Sequence, residues 1–247
     1  MGLWIRSGLF NVWFVLVTLV LGLVGFPLRW IMPGGALRLA QFWSARVLAG
    51  ARVICGVRLV LTGMEHLPAS GPVLIASQHQ SAFDTLIWLQ LVPRVSYVFK
   101  SELARVPLFG PLLVPAGQIP VKRGGGAMAM RAFLDGGEKA VADGRQIVIF
   151  PEGTRVDTGI AVRLRPGVAI LARQTGLPII PVATDSGRLW GRKAFLKRAG
   201  DVHVMISPGI IPTEPVDVLL DQVKCAWRTM HLGLQTVDNS VDIDPNP

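Results

Sequence analysis

A histidine and an aspartate, His79 and Asp84, lie five residues apart in a segment that begins with Gln78. The apolar pattern predicts that His79 follows a strand and that Asp84 lies in the first turn of the next helix. A carboxylate that holds one ring nitrogen fixes the imidazole tautomer, so the other nitrogen can accept a proton from a hydroxyl. The spacing also has an ordinary explanation, because Ser81 and Asp84 match the capping box of a helix start. On these residues alone, both interpretations stay open.

A second segment, Phe150–Arg155, reads Phe-Pro-Glu-Gly-Thr-Arg and follows a predicted buried strand, where α/β folds place their sites. Its proline and Gly153 indicate a tight loop that continues through Thr154. Glu152 offers a hydrogen-bond acceptor, and Arg155 offers a planar donor fork that suits phosphate. The alternative is a turn that carries a surface ion pair.

Two further segments suggest parts of a binding site. Gly117–Arg123 ends in two cations, Lys122 and Arg123, that follow a predicted strand and suit a phosphate; the alternative is a solvated basic turn. The three glycines at 124–126 are not followed by the Gly-Lys-Ser/Thr of a phosphate-binding P-loop. In Leu177–Val182 two prolines bracket a short apolar run, which on its own indicates an edge strand or a rigid wall.

Strand-like and helix-like stretches alternate from Val57 onward and must position these segments. This alternation predicts an α/β domain over residues 57–236, with a mixed, mostly buried sheet flanked by helices. The predicted strands are residues 58–62, 73–77, 97–99, 119–121, 147–150, 179–183 and 202–206. The predicted helices are residues 81–91, 127–142, 166–175 and 216–234. We expect residues 237–247 to form a polar, acidic tail.

The first 56 residues predict membrane-anchoring helical segments. Residues 9–26 are an uncharged, mostly apolar stretch of eighteen residues, a helix of about 27 Å, which nearly matches a bilayer core. Pro27, and then Pro33-Gly34-Gly35, indicate a break and a turn. Residues 36–54 are predicted to form a second helix that carries arginines on one side, as interfacial helices do. We expect a helical hairpin in one leaflet, or a spanning helix followed by a surface helix. Arg6 and Arg29 flank the apolar stretch, so charge does not decide its orientation. A cleaved signal peptide fits less well, because the apolar stretch is long and no Ala-x-Ala site follows it.

Composition narrows the class of protein. Hydrophobic residues make up 51% of the chain and charged residues 17%, with a formal charge of +9 and a mean hydropathy of +0.47. Such a basic and apolar chain favours anionic lipid over nucleic acid, and no basic-aromatic interleaving of the kind that binds single strands is present. The two cysteines lie far apart, and no Cys/His cluster has zinc spacing, so we expect no structural metal.

Taken together and in this order, the four segments resemble the motifs of one enzyme family. The chain resembles the 1-acylglycerol-3-phosphate O-acyltransferases, the lysophosphatidate acyltransferases of the glycerolipid acyltransferase superfamily. The motifs of that family are H-x-x-x-x-D, G-x-I-x-x-x-R, F-P-E-G-T-R and a proline-bracketed V/L-P-I/V-I/V-P block. The resemblance covers about Leu59–Pro208. It is specific for the superfamily and much less specific for the acceptor.

The resemblance implies roles for individual residues. His79 is expected to be the general base and Asp84 its orienting partner. The positions that match the acceptor-binding motifs, or that lie beside them and extend the phosphate clamp, are Gly117, Lys122, Arg123, Glu152, Gly153, Thr154, Arg155 and Arg165. Pro181 matches the motif linked to the acyl side. Many members of the family have Asn where this chain has Gln78, and Asp where it has Lys122, and the second departure leaves the acceptor's identity open.

The resemblance also implies the reaction. We expect a fatty acyl group to pass from acyl-CoA or acyl carrier protein to the free hydroxyl of 1-acylglycerol-3-phosphate, giving phosphatidic acid without a cofactor or metal. The enzyme should bind membrane lipids at the inner or plasma membrane with its site on the cytoplasmic face, where acyl thioesters are made. Alternatives are another acceptor (glycerol-3-phosphate, another lysophospholipid or a lyso-aminolipid) and a non-enzymatic lipid-binding module. A serine hydrolase using Ser81 is disfavoured, because no G-x-S-x-G elbow is present.

Overall fold

A seven-stranded mixed sheet forms the centre of the protein. The computed structural model describes residues 2–31, 34–107, 109–122 and 124–241. The strands are β1 (Val57–Thr62), β2 (Val73–Ser77), β3 (Val95–Lys100), β4 (Ile119–Val121), β5 (Gln146–Ile149), β6 (Ile179–Thr184) and β7 (Gly200–Ile206). Their order across the sheet is β1-β7-β6-β2-β5-β3-β4. Neighbours are parallel except β6 and β7, so β1 and β7 run opposite to the other five strands.

Helices cover both faces of this sheet. They are α1 (Leu3–Ile31), α2 (Gly35–Gly50), α3 (Ala82–Leu91), α4 (Gly110–Leu113), α5 (Gly126–Ala142), α6 (Gly167–Thr175) and α7 (Val216–Val241). Side chains of β2 alternate between two apolar cores, as the pleat requires. Val73 and Ile75 join a core shared with α1, α2 and α3, whereas Leu74 and Ala76 join one shared with α5, α6 and α7. The predicted α/β class, with a mixed and mostly buried sheet flanked by helices, is confirmed.

The N-terminal helices α1 and α2 pack against each other and against the domain. Phe10 and Val47 are fully buried in the first core, and the Trp13 indole Nε1 donates to the Arg46 carbonyl oxygen at 3.0 Å. After α2 a single π-helical turn, Ala51–Cys55, leads into β1. In the described part of the chain, one stretch, Leu3–Gly25, is long and apolar enough to cross a membrane. Only 17% of its most apolar window is buried, unlike the core helix of a soluble protein.

Two helix ends differ from the sequence prediction. The predicted break at Pro27 is wrong, because α1 continues through this proline to Ile31. Of the other residues predicted to mark the turn, Gly34 lies in a turn and Gly35 begins α2, and Pro33 lies outside the described residues. A proline removes one backbone donor, and a long helix can tolerate that loss at the cost of a local distortion. The closing helix α7 extends past the predicted Leu234 to Val241, because no proline or glycine interrupts that stretch. The last six residues of the predicted tail lie outside the described residues.

Candidate active site

The predicted catalytic pair lies at the corner between β2 and α3. Asp84 is fully buried, and its Oδ2 lies 3.5 Å from Nδ1 of His79. This is an ion-pair distance longer than a hydrogen bond, and the Nδ1 atom has no hydrogen-bond partner among the described residues. With Nδ1 directed toward the carboxylate, Nε2 is the nitrogen left to accept a proton from a substrate.

Asp84 also caps the helix that carries it. Its Oδ2 accepts from the backbone N–H of Gln80 at 2.7 Å and of Ser81 at 2.8 Å. The Ser81 hydroxyl in turn accepts from the backbone N–H of Phe83 at 3.1 Å, so the capping box is complete. The two interpretations of this motif are therefore compatible, because one carboxylate serves both the helix start and the histidine.

The Phe-Pro-Glu-Gly-Thr-Arg loop wraps around His79. The Phe150 ring stacks on the imidazole with centroids 4.1 Å apart. Glu152 Oε2 accepts from the backbone N–H of His79 at 2.8 Å, and the backbone N–H of Val156 donates to the His79 carbonyl oxygen at 2.8 Å. Burial, with a further contribution from the nearby Asp84 charge, raises the pKa of Glu152 to about 8. The loop thus fixes both the main chain and the ring of the histidine.

His79 lies on the wall of a cavity of about 1090 Å³. Strand order explains why three of the four predicted segments meet there: β2, β5, β3 and β4 are neighbours and parallel, so their carboxyl ends share one edge. His79, the Phe150–Arg155 loop and Lys122 follow β2, β5 and β4 at that edge. Cationic side chains line part of the cavity: Lys100, Lys122, Arg155, Arg165, Arg192 and Lys193.

Most of the other lining residues are apolar, and many of them come from the N-terminal helices and from the segment after β3. They include Phe14, Leu21, Leu39, Trp43, Leu103, Val106, Phe109 and Leu113. One cavity therefore offers cations, apolar walls and a histidine together. This combination suits a ligand with a phosphate and a hydrocarbon chain.

Not every predicted site residue reaches the cavity. In the described part of the chain the lining includes Lys122, Gly153, Thr154, Arg155 and Arg165, but not three other predicted positions, Gly117, Glu152 and Pro181. Gly117 lies against the Arg145 guanidinium, where a β-carbon would come within 2.1 Å. Pro181 lies in β6 in register with Ala76 of β2. Arg123 lies outside the described residues.

Gly153 has a specific structural reason for its identity. Its φ of 73° is in the left-handed region, and a β-carbon there would lie 2.2 Å from Nε of Arg165. Arg165 also donates its backbone N–H to the Pro151 carbonyl oxygen at 2.7 Å. The glycine therefore lets the Arg165 side chain lie directly across the loop.

Among the described residues, three cations of the cavity wall were not predicted from the sequence: Lys100, Arg192 and Lys193. Lys100 ends β3 and reaches the cavity because β3 neighbours β5. Arg192 and Lys193 come from the loop that precedes β7, and Lys193 has φ 56°, uncommon for a residue with a side chain. The only sequence signal for this loop is its pair of adjacent cations, which no motif includes.

Comparisons with known proteins agree on the family. A family model described as Acyltransferase matches residues 58–185. A 1-acyl-sn-glycerol-3-phosphate acyltransferase of Pseudomonas aeruginosa is 31% identical over 208 residues, covering 83% of this chain and 80% of that protein. The human 1-acyl-sn-glycerol-3-phosphate acyltransferase alpha is 28% identical over 197 residues, covering 77% of this chain and 69% of that protein.

A solved structure supports the fold. The crystal structure of the 1-acyl-sn-glycerophosphate acyltransferase of Thermotoga maritima matches with a TM-score of 0.76 at 21% identity, over 94% of this chain and 97% of that chain. Both chains therefore share one fold. The match of the family model over more than half of the chain, together with the Pseudomonas relative, shows that this protein belongs to the acyltransferase family.

Proposed function

We propose that this enzyme transfers a fatty acyl group from an acyl thioester to the free hydroxyl of 1-acylglycerol-3-phosphate and so forms phosphatidic acid. One observation carries the proposal: the His79–Asp84 pair lies on a cavity lined by both cations and apolar side chains. An acceptor with a phosphate and a single fatty chain needs both kinds of wall. The relatives from Pseudomonas aeruginosa and human are named for this acceptor, which supports the choice.

In the proposed mechanism the substrate hydroxyl is itself the nucleophile. His79 Nε2 takes the hydroxyl proton as the oxygen attacks the thioester carbonyl carbon, and a tetrahedral intermediate forms. Asp84 stabilises the imidazolium that results, as the carboxylate does in serine-hydrolase triads. When the intermediate collapses, the C–S bond breaks and the imidazolium returns its proton to the departing thiolate. The thioester supplies the driving force, so the reaction as written uses no cofactor or metal.

The acceptor phosphate is assigned to the cations beside His79. Arg155 lies on the loop that wraps the histidine, Arg165 lies across that loop, and Lys122 joins them from the end of β4. We include Arg123 in this clamp because of its motif position. Binding a remote phosphate is an effective way to position the reacting hydroxyl, because it restricts the motion of the acceptor before the chemical step.

Membrane attachment is assigned to the two N-terminal helices. The apolar helix α1 could anchor the chain in a membrane, and Arg38, Arg46 and Arg52 of the following segment are exposed, as expected for contact with lipid headgroups. We place the active site on the cytoplasmic face of the inner or plasma membrane, because acyl thioesters are made in the cytoplasm. Both acyl-CoA and acyl carrier protein fit this placement as donors.

The acceptor assignment is tested with the Arg155→Ala variant and two acceptors that differ only in the phosphate, 1-acylglycerol-3-phosphate and 1-acylglycerol. The variant should lower kcat/KM for the phosphorylated acceptor at least about ten-fold, the usual effect of losing a charge-assisted contact to a phosphate. The control is Arg163→Ala, an exposed arginine of the same loop. Equal use of both acceptors by the wild type, or no effect of Arg155→Ala, would refute the phosphate clamp. Transfer confined to glycerol-3-phosphate, another lysophospholipid or a lyso-aminolipid would keep the chemistry and change the acceptor.

A further inference from the structure

Gln78, the residue between β2 and His79, connects the catalytic corner to two other elements. Its backbone N–H donates to the Val182 carbonyl oxygen at 2.9 Å. Its side-chain Oε1 accepts from the backbone N–H of Thr184 at 3.1 Å and lies 2.8 Å from Nε2 of His231. The residue before the histidine is thus held by β6 and by the C-terminal helix α7.

The chemistry of these contacts fixes the proton on His231. A backbone N–H can only donate, so the Gln78 atom that faces Thr184 must be the amide oxygen. That oxygen can only accept, so Nε2 of His231 must carry a hydrogen. Burial lowers the pKa of His231, an effect that Asp185 partly offsets, so the ring is neutral near pH 7 with its proton on Nε2.

A second bond joins the same two elements one helical turn earlier. The indole Nε1 of Trp227 donates to the Ala76 carbonyl oxygen in β2 at 3.3 Å. Residues 227 and 231 are four apart and lie on one face of α7, while residues 76 and 78 are two apart along the strand. The Trp227 bond ends inside the sheet, whereas the His231 bond ends on the residue that precedes His79. Removing the Trp227 bond therefore tests the attachment of α7 to the sheet, whereas removing the His231 bond tests the contact with the residue before His79.

We infer that Gln78 and His231 are positioning residues for His79, which they hold in reach of Asp84 through the side-chain bond from α7. This inference rests on the proposed role of His79 as the general base. The loop after β5 restrains the main chain of His79 through Glu152 and Val156. The bonds to the Gln78 side chain restrain the main chain one residue earlier. The Nδ1–Oδ2 distance of 3.5 Å leaves little tolerance, since a further displacement would separate the ring from its carboxylate.

The length of the Gln78 side chain suits this arrangement. Asparagine at this position would be one methylene shorter. A shorter side chain cannot hold its oxygen at the same point between Thr184 and His231 with the same backbone. In this chain the glutamine and the histidine are therefore expected to act together.

The test compares kcat, KM and the thermal midpoint of three variants in the acyl transfer assay. His231→Phe keeps a ring and removes the donor, and we expect kcat to fall about ten- to a hundred-fold with KM unchanged, as for a misplaced base. His231→Gln restores a donor at similar reach and should recover most of that loss. Trp227→Phe, the matched control, removes the bond to Ala76 and keeps the buried ring, so it should lower the thermal midpoint but leave kcat near that of the wild type.

Several results would overturn the inference. Unchanged kcat in His231→Phe would do so, as would equal losses of kcat in His231→Phe and Trp227→Phe that follow their thermal midpoints. Failure of His231→Gln to recover activity at a wild-type thermal midpoint would also contradict it. His79→Ala is measured in parallel. If His79→Ala is inactive while His231→Phe is fully active, only the positioning role of His231 is refuted. If His79→Ala is active, both the role of His79 as the base and the positioning role are refuted.

Discussion

At the scale of single residues, Asp84 caps α3 and has a proposed role in stabilising the His79 imidazolium, and different substitutions separate the two. Asp84→Asn keeps an oxygen that can accept from the N–H groups of Gln80 and Ser81, so α3 should remain capped. The variant loses the charge that stabilises an imidazolium, and we expect kcat to fall at least about a hundred-fold with little change in thermal midpoint. Asp84→Ala removes the cap as well and should cost about 1 kcal/mol more in stability. If Asp84→Asn transferred acyl groups at the wild-type rate, the aspartate would be a cap alone.

Glu152 gives the protein a defined dependence of stability on pH. Burial raises the pKa of this carboxyl from 4.5 to about 8, so between these values the folded state binds a proton that the unfolded state has released. The contribution of Glu152 to the free energy of unfolding is therefore largest below pH 4.5 and is lost as the pH rises to about 8.

This dependence predicts the behaviour of two variants. Glu152→Gln keeps an acceptor for the His79 N–H and has no proton to lose, so its thermal midpoint should fall less than that of the wild type between pH 5 and pH 8. Glu152→Ala removes the acceptor and should lower kcat, because the main chain of His79 loses its partner. If the thermal midpoints of the wild type and of Glu152→Gln fell by the same amount between pH 5 and pH 8, the raised pKa of Glu152 would be contradicted.

The sequence predicts the His79–Asp84 pair because their motif is local: six residues, from His79 to Asp84, connect a strand end to a helix start. It could not predict that Glu152 binds the backbone of His79, since that contact depends on β2 and β5 being neighbours in the sheet. The positions of Arg192 and Lys193 also depend on long-range packing. Residue types therefore indicate the chemistry, and strand order determines which of them meet.

At the scale of helices and strands, apolar periodicity predicts most elements to within a few residues, for example β2 at Val73–Ser77. It does not give the strand order or the reversed direction of β1 and β7, because pairing between distant strands leaves no local pattern. It also misplaces the end of α1, because a proline weakens a helix without always ending it.

Close packing of α1 on α2 predicts the effect of one glycine. A β-carbon on Gly50 would lie 2.3 Å from the Trp13 ring, so the two helices approach each other over a position that has no side chain. Gly50→Val should separate them and lower stability by about 1–3 kcal/mol, the usual cost of overpacking. Ala49→Val, which adds a similar volume at an exposed neighbouring position, is the control and should have little effect. Equal thermal midpoints for the two variants would argue against this tight contact.

At the scale of the whole molecule, the outer face of α1 is a continuous apolar surface. Val12 is 66% exposed and Leu23 62% exposed, while Phe10 on the opposite side is fully buried in the domain. An apolar face of this length on a helix fixed to a folded domain is expected to enter lipid. The hairpin is therefore both a part of the protein core and the proposed membrane anchor.

Charges placed on that face test the anchor without deleting core residues. A Val12→Asp, Leu23→Asp double variant should move the protein from the membrane fraction to the soluble fraction in flotation with anionic vesicles, because each charge is costly to place in hydrocarbon. The control is Ile160→Asp with Ile211→Asp, two positions that are each 63% exposed and lie outside the hairpin. Retention of the α1 variant on vesicles, or release of the control, would show that the membrane contact lies elsewhere.

His79 is the proposed base for acyl transfer to a phosphate-bearing lipid acceptor. The most direct measurement is transfer of labelled acyl groups from acyl-CoA, and in parallel from acyl carrier protein, to 1-acylglycerol-3-phosphate by the wild type, His79→Ala and His66→Ala. His66 lies in a short helix after β1 and serves as the control. We predict phosphatidic acid from the wild type and from His66→Ala, and none from a folded His79→Ala. Phosphatidic acid formed by His79→Ala at the wild-type rate, or by none of the three from either donor, would contradict the claim.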